Sequence, residues 1–503
     1  MTILPSHNPN LTTTTTKPEM PHYQKHSPRS TVAAATTTAT RTPFSFFSPK
    51  LSVYLCSICV TLFILFHIKI LQTPLPSSQN SLSFLHNWQE KLINNDEPAS
   101  CNDDTTSMGD KLHESVTFLP LKDLRFANAA LVGHTWFMSS LYDTHEEGEV
   151  QYQQFPSKSS NGRILCIKGR DNHDGSWNYY GLAYPGFLPK NATLVPGRTF
   201  VSYNHYDFGN IWHGLSALVP FVAWHLKSEC AAPDQWILYH WGEVRTWMSP
   251  WLNTLMEATF NGPLNIEKFN EDGNDYEWPM CYEEAVVMRH NEGGMSREKR
   301  MEVYDLIRCK ARMMCDVELD RTDNDIGLTL FMRTGARSFR NETAVVEIFE
   351  RECMKVENCR LKVAYSSNLT VCEQVKLMAS TDILVSPHGA QLTNMFLMDR
   401  NSSVLEFFPK GWLKLAGVGQ LVYHWMASWS GMKHQGAWRD TEGDPCPYPD
   451  DDRRCMSFYK NGRIGYNSTY FAEWASRVLN EVKMQKSQEA TRGNIVPTKC
   501  ACS

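Results

Sequence analysis

The chain has 503 residues, of which 20% are charged, and it carries a formal net charge of −5 with a pI near 6.4. Its length predicts about three domains. Because the chain is slightly acidic and shows no basic helix or aromatic–basic repeat, the composition argues against a nucleic-acid-binding protein.

The N-terminal part predicts a tail followed by a membrane anchor. Residues 1–50 are rich in threonine and poor in large apolar side chains, so we expect a disordered tail. Residues 51–71 are apolar and, as a helix, would be roughly 31 Å long, close to a bilayer's hydrocarbon core. The tail is basic, so the positive-inside rule predicts a cytoplasmic tail and a single-pass type II signal anchor. A cleaved signal peptide or a transit peptide is the alternative, but the apolar run starts late and no clear cleavage site follows it.

Residues 72–110 contain Pro74 and Pro76 within a polar run and are expected to form a stem. Cysteine usage indicates that the chain beyond it lies in an oxidising lumen. Of 15 cysteines, two lie in the anchor, and the odd number left predicts at least one free or intermolecular thiol. Cys353–Cys359 and Cys446–Cys455 are plausible local disulfides, and no spacing matches a zinc site. Five sequons are expected glycosylation sites on the lumenal side, beginning at Asn191, Asn341, Asn368, Asn401 and Asn467.

Residues 111–318 are expected to form an N-terminal, acceptor-side lobe. Its long predicted helix covers 296–314, with Ser296 as the N-cap, and a second helical stretch at 212–226 contains Pro220, which predicts a kink. The predicted strands cover 163–169, 199–203, 235–240 and 284–290.

Residues 319–482 show a cleaner alternation of strands and helices, and residues 483–503 are expected to be a tail. Alternation at this spacing predicts βαβ units around a parallel sheet, hence a Rossmann-like lobe whose ligands bind at the carboxyl edge of the strands. Thr370 and Glu373 predict a capping box. The predicted strands cover 327–332, 360–365, 382–386 and 403–408, and the predicted helices cover 342–356 and 370–380.

The stretch SPHGAQLTNMFLM (386–398) begins where one of these strands ends and continues as a predicted helix. Gly389 would allow close backbone approach, and the helix N-terminus would supply free N–H groups and partial positive charge, which suits a phosphate or diphosphate. His388 could hydrogen-bond a phosphate oxygen or a sugar hydroxyl. The alternative is that Gly389 only tightens a turn and that His388 is a core histidine.

An arginine-rich loop leaves a neighbouring strand at the same sheet edge. It carries Arg333, Arg337 and Arg340, and arginine forks suit bidentate phosphate contacts. A solvated basic loop is the alternative, and Arg340 is the weakest of the three candidates. Glu406, on the following strand, could accept ribose hydroxyls or could pair structurally with a cation.

The first lobe offers candidates for a general base. His205, Asp207 and His213 cluster among aromatic residues, and deprotonating an acceptor hydroxyl needs a histidine or a carboxylate within hydrogen-bond reach. Histidines beside Tyr and Trp can equally be structural. No metal site is predicted, because the acidic pair Asp323 and Asp325 precedes its strand and therefore lies at the wrong sheet edge, and residues 450–452 look like a solvated acidic tip.

The run HGAQLTNMFLM followed by SVLEFFP resembles glycosyltransferase family 61, whose hallmark is an HGAGLTN-like stretch before a strand ending in Glu and Pro. RNE (340–342), the isolated Cys281 and GNIWHG (209–214) match in order, and the resemblance extends over about 200–409. It implies Golgi type II enzymes of the GT-B arrangement, with two Rossmann-like lobes, that transfer sugars from nucleotide-sugar donors with inversion and without a metal or other cofactor. It further implies a donor-binding set, with Glu406 on the nucleoside side, made of His388, Gly389, Ala390, Thr393, Asn394, Arg333, Arg337 and Glu406.

Two positions depart from the family pattern. Gln391 stands where the family has Gly or Ala, and the acid expected shortly after GNIWHG is replaced by Gly214, Ser216 and Ala217. Taken as a whole, the resemblance predicts an inverting Golgi glycosyltransferase that moves a pentose or GlcNAc from a UDP-sugar to a polysaccharide or glycoprotein. A catalytically inactive lumenal protein that binds glycan or nucleotide is the alternative, as is, less well supported, a metal-dependent GT-A enzyme.

Overall fold

The computed structural model describes residues 116–121, 146–158, 160–169, 178–204, 207–240, 243–268, 278–288, 294–318, 325–492 and 500–502. All of them belong to one compact unit, Asp103–Ser503. The predicted tail, anchor and stem lie outside these ranges. Within these ranges, none of the helices is long and apolar enough to cross a membrane.

The first sheet has eight strands in the order β1-β4-β3-β8-β5-β6-β7, with β2 also pairing with β8. β5 runs parallel to β6 and β8, whereas the remaining pairs are antiparallel. The expectation of a Rossmann-like first lobe is therefore correct only for this parallel trio. Between β3 and β4, and between β6 and β7, the connections are too short for a crossover, which forces antiparallel pairing. The strands are β1 (Leu119–Pro120), β2 (Tyr152–Phe155), β3 (Ile164–Gly169), β4 (Asn178–Ala183), β5 (Thr193–Tyr203), β6 (Gln235–His240), β7 (Glu243–Arg245) and β8 (Met280–Met288).

Three helices pack on the first sheet: α1 (Ile211–Lys227), α2 (Pro250–Phe260) and α3 (Arg297–Met314). Asn210, Ser249 and Ser296 cap them, each side chain accepting from backbone N–H groups of the first turn. The predicted N-cap at Ser296 is thus confirmed, and α1 continues through Pro220. The largest apolar cluster contains side chains from these helices and from the second sheet's elements, so both sheets share one core.

The second sheet is fully parallel, in the order β10-β9-β11-β12-β13. The predicted Rossmann-like alternation is confirmed here, and so is the capping box of Thr370 and Glu373. β13 was not predicted, because its half-exposed sequence KHQGAWR lies at a sheet edge and reads as polar. The elements are β9 (Ile326–Met332), α4 (Glu342–Met354), β10 (Cys359–Tyr365), α5 (Val371–Ala379), β11 (Ile383–Pro387), a 3-10 helix (Ala390–Leu397), β12 (Ser403–Phe408), α6 (Trp412–Leu415), α7 (Val422–Ser430), β13 (Lys433–Arg439), α8 (Asp452–Asn461) and α9 (Ser468–Arg492).

Six disulfides join twelve cysteines of the described residues. The two predicted local pairs, Cys353–Cys359 and Cys446–Cys455, are confirmed. Two others fasten the C-terminal residues to the first lobe, which a sequence reading cannot foresee because the partners lie 191 and 272 residues apart. The four pairs that were not predicted are Cys166–Cys281, Cys230–Cys502, Cys309–Cys500 and Cys315–Cys372.

Candidate functional site

The strand order of the second sheet reverses between β9 and β11. In an open parallel sheet, such a reversal leaves a crevice at the carboxyl ends of the two strands, where ligands bind. Arg333 directly follows β9 and His388 directly follows β11, so both flank this crevice. The parallel register also pairs Ser386 with Glu406, which brings β12 into the same place. The two sequence motifs thus meet at one point of the fold.

A buried carboxylate holds His388 in place. Glu406 is 0% exposed, and its Oε1 lies 2.6 Å from His388 Nδ1 while its Oε2 lies 2.8 Å from His434 Nε2. Burial would raise the pKa of Glu406, but the hydrogen bonds with the two histidines outweigh it and keep this pKa below its usual range. Each oxygen is therefore engaged by one histidine, and because the side chain is completely buried, a ribose hydroxyl could reach it only if its surroundings moved. The ribose contact expected for Glu406 stays a prediction, while the observed geometry orients His388.

Aromatic rings enclose the His388 imidazole. Its centroid lies 4.6 Å from that of Phe408, stacked, and 5.5 Å and 5.2 Å from those of Trp412 and Tyr423. Burial, and then the charge of Glu406, raise the pKa of Tyr423. The phenol therefore stays neutral, and the imidazole has one fixed orientation beside the sheet edge.

Arg333 and Arg337 are two partly buried guanidiniums. No carboxylate forms an ion pair with either of them among the residues that the structure describes. Burial lowers the pKa of both, and the charge of Arg333 contributes to lowering that of Arg337, to about 10. The Arg337 guanidinium lies 5.1 Å from the Trp412 ring centroid, and its backbone has a φ of +62°, uncommon outside glycine. Paired cations that repel each other without a counter-charge favour binding of an anion. We call Arg333, Arg337 and His388 the anion clamp.

The absence of a side chain at Gly389 allows the Arg333 guanidinium to lie close to the backbone. A Cβ added there would lie 2.2 Å from Arg333 Nη1, so only glycine leaves the guanidinium its position. Arg333 Nη1 donates to the His388 carbonyl at 3.2 Å and to Gln391 Oε1 at 3.4 Å. Gln391 in turn donates to the Pro387 carbonyl at 2.9 Å. The bulk of Gln391 therefore supports Arg333.

The helix after Gly389 is a 3-10 helix, held mainly from the first lobe. Thr393 and Asn394 are fully buried, Ala390 is partly exposed, and Asn394 Oδ1 accepts from Trp251 Nε1 at 3.1 Å. At its other end, arginines of α3 donate to the Phe396 and Leu397 carbonyls. In this structure Thr393 and Asn394 pack within the core, and their predicted contact with the donor stays a prediction.

A polar cavity of about 400 Å³ adjoins Arg333 at the carboxyl ends of β9 and β10. This volume is within the range of ligand pockets. Tyr365 donates to Glu342 Oε1 at 2.6 Å across it, and this hydrogen bond, with burial, raises the pKa of Tyr365 to about 12. Arg340 also borders the cavity but pairs with Asp440, which leaves it less free for a ligand than the clamp arginines.

The structure describes two of the three candidates for the general base. His205 lies outside the described residues. Asp207 has a φ of +113°, and its side chain is 39% exposed. His213 is in the first turn of α1, where its backbone N–H donates to Asn210 Oδ1 at 3.4 Å. A further link joins this region to the clamp, because the Trp212 ring lies 5.6 Å from that of Tyr423.

Other predicted features have plain structural roles. Asp325 is buried at the amino end of β9 and pairs with Arg360, and Asp451 caps α8. Within the described part of the chain, one cluster could hold a metal, His225 with Cys230 and Cys502, and its two cysteines form a disulfide. The five sequon asparagines, at 191, 341, 368, 401 and 467, are all exposed.

Sequence reasoning missed three residues that shape this site. His434 is on the unpredicted edge strand β13, and Trp412 and Tyr423 come from short helices after β12. The sequence did contain a signal for Trp412 and Tyr423, since aromatic residues that follow a ligand-binding strand can enclose a bound group. His434 had none, because only the β12–β13 pairing brings it to Glu406.

Comparison with known proteins gives one result for this region. No curated protein matches the chain. A family model described as Glycosyltransferase 61 matches residues 221–405, which include both clamp arginines, His388 and Gly389. Together with the parallel sheet and the clamp at its carboxyl edge, this match shows that residues 221–405 are similar to glycosyltransferase family 61.

Proposed function

We propose that this protein is an inverting glycosyltransferase that moves a pentose or GlcNAc from a UDP-sugar to a hydroxyl group of a glycan or glycoprotein. We place it in the Golgi membrane as a single-pass type II protein with its catalytic part in the lumen. The family supports the reaction class, and six disulfides support an oxidising compartment.

The observation that carries the proposal is the uncompensated charge of the anion clamp. Arg333 and Arg337 are partly buried, lack a carboxylate partner among the described residues, and lie beside a sheet-edge crevice. A diphosphate supplies the missing negative charge, and guanidinium forks match its oxygens. The adjoining cavity of about 400 Å³ has room for a further part of the donor.

The same charges explain how the transfer proceeds. The acceptor oxygen forms a bond to the anomeric carbon as the bond from that carbon to the diphosphate oxygen breaks. Negative charge then grows on the departing diphosphate, where preorganised cations stabilise it most. The acceptor's proton passes to a base, for which Asp207 is the first candidate and His205 and His213 are the others. We expect no metal or cofactor to be needed.

Glu406 and His434 act through His388. With its Nδ1 held by Glu406, the imidazole presents Nε2 as its remaining polar atom, in one orientation. We propose that Nε2 contacts a diphosphate oxygen or a sugar hydroxyl.

Ligand-induced stabilisation of the full-length protein in detergent tests the donor site. UDP should raise the stability, since a ligand that binds only the folded state adds about 2.7 kcal/mol at a hundredfold excess over Kd. Arg333→Ala and Arg337→Ala should each abolish the shift, whereas Arg351→Ala, an exposed arginine on α4, should not. Loss of the shift in all three, or in none, would contradict the assignment. UDP binding without transfer to any acceptor would identify the inactive, nucleotide-binding alternative.

A further inference from the structure

The described residues 207–210 of the connection between β5 and α1 lead directly into Trp212. This connection leaves the carboxyl end of β5, and Asn210 then caps α1. Two residues into the helix region, Trp212 contacts Tyr423, whose ring lies 5.2 Å from His388. A molecule resting on this loop would therefore lie close to the leaving group proposed above.

Asp207 is held in a strained but accessible position on this loop. Its φ of +113° is costly for a non-glycine residue, and such strain persists where surrounding contacts maintain it. Those contacts are present, because its carbonyl accepts from Asn204 Nδ2 at 2.6 Å and its Oδ1 accepts from the Phe208 N–H at 2.6 Å. Among the described residues, Oδ2 faces one cation, Arg245 Nε at 3.6 Å, and the side chain is 39% exposed. The carboxylate is thus fixed by one oxygen and open at the other.

A tryptophan lies over the same loop. The Trp247 indole is 55% exposed, and its Cη2 would be 3.1 Å from a Cβ at position 209, so the ring rests on Gly209. Any side chain at 209 would push the indole away. An exposed, flat aromatic ring offers an apolar face that matches the C–H face of a pyranose.

We propose that Trp247 is the stacking platform of an acceptor subsite, which takes a pyranose ring of an oligosaccharide chain and presents one of its hydroxyl groups to Asp207. The inference deepens the proposed function and rests on it for the fate of that hydroxyl. Its proton goes to Asp207 Oδ2 as the oxygen attacks the anomeric carbon. Trp247 binds the acceptor sugar and takes no part in the bond changes, and its contact with Gly209 fixes the position of its ring.

The test uses Trp247→Ala and Trp247→Phe, with Trp278→Ala as a matched control. Trp278 is 53% exposed but precedes β8, at the opposite edge of the sheet. Full-length proteins are assayed on an array of neutral oligosaccharides, including xylan fragments and free N-glycans. The same preparations are tested for stabilisation by UDP and for unfolding temperature.

We expect Trp247→Ala to weaken oligosaccharide binding at least tenfold, Trp247→Phe to retain part of it, and Trp278→Ala to match the wild type. UDP stabilisation should be unchanged in all three. Equal binding by Trp247→Ala and the wild type, or no oligosaccharide bound by the wild type, would overturn the subsite. Oligosaccharide binding that depends on Trp247 in a protein that UDP does not stabilise would instead keep the subsite and refute the proposed transfer.

Discussion

Replacing Gly389 with alanine tests whether the glycine positions Arg333. The new Cβ would lie 2.2 Å from Arg333 Nη1, and ordinary contact begins at 3.4 Å. The guanidinium must therefore retreat by about 1.2 Å, and a displacement of about 1 Å can lower a rate by about a hundredfold. An independent estimate agrees, since one charge-assisted hydrogen bond contributes about 1.5–3 kcal/mol, or roughly 10- to 150-fold. We expect UDP affinity or turnover of Gly389→Ala to fall about a hundredfold.

The assay is UDP titration followed by fluorescence or calorimetry, together with a double-mutant cycle. If Gly389→Ala acts only through Arg333, the double variant with Arg333→Ala should bind UDP no worse than Arg333→Ala alone. Gly419→Ala is the control, because nothing lies within 4 Å of a Cβ at that position. Additive losses in the double variant would refute the reasoning, as they would show that the alanine disturbs something other than Arg333.

Three further predictions concern stability and metal dependence. Glu406→Gln should lower the free energy of unfolding by about 1.5–3 kcal/mol in denaturant titrations, because one amide group cannot accept from both His388 and His434. Since the folded-state pKa of Glu406 is lowered, this difference should be full at pH 7 and shrink as the pH falls below about 4.3, the usual glutamate value. Replacing Cys309 and Cys500 with serine should cost about 2–4 kcal/mol, since their disulfide closes a long loop. EDTA should leave transfer unchanged, and a loss restored by Mn²⁺ would contradict the metal-free mechanism.

The sequence predicted the second sheet well because its first four strands alternate with helices, and three of them, β9, β11 and β12, are largely buried. A buried strand such as DILVS carries its own signal in a run of apolar side chains. β13 lacks one, because edge strands face solvent and tolerate the polar residues of KHQGAWR. The first sheet was harder, since some of its antiparallel strands pair with partners distant in the chain, as β2 does with β8.

The same reasoning distinguishes the features of the site that could be predicted from the sequence from those that could not. Arg333 and His388 follow strands, so parallel topology alone brings them to one edge. The partner of Glu406 was not predictable, because a carboxylate on a strand pairs with whatever the neighbouring strand presents. Here β13 presents His434 and the end of β11 presents His388, whereas the sequence suggested ribose or a basic side chain.

The hydrogen-bond partners of Glu406 also bear on the charge of the anion clamp. A carboxylate near two guanidiniums ordinarily pairs with one of them, which would neutralise part of the anion site. Glu406 instead has both oxygens engaged by His388 and His434, and it is completely buried. Neither Arg333 nor Arg337 pairs with a carboxylate among the described residues, and an anion bound between them would relieve their mutual repulsion. The two histidines therefore account for both oxygens of Glu406, and the clamp arginines stay available to a diphosphate.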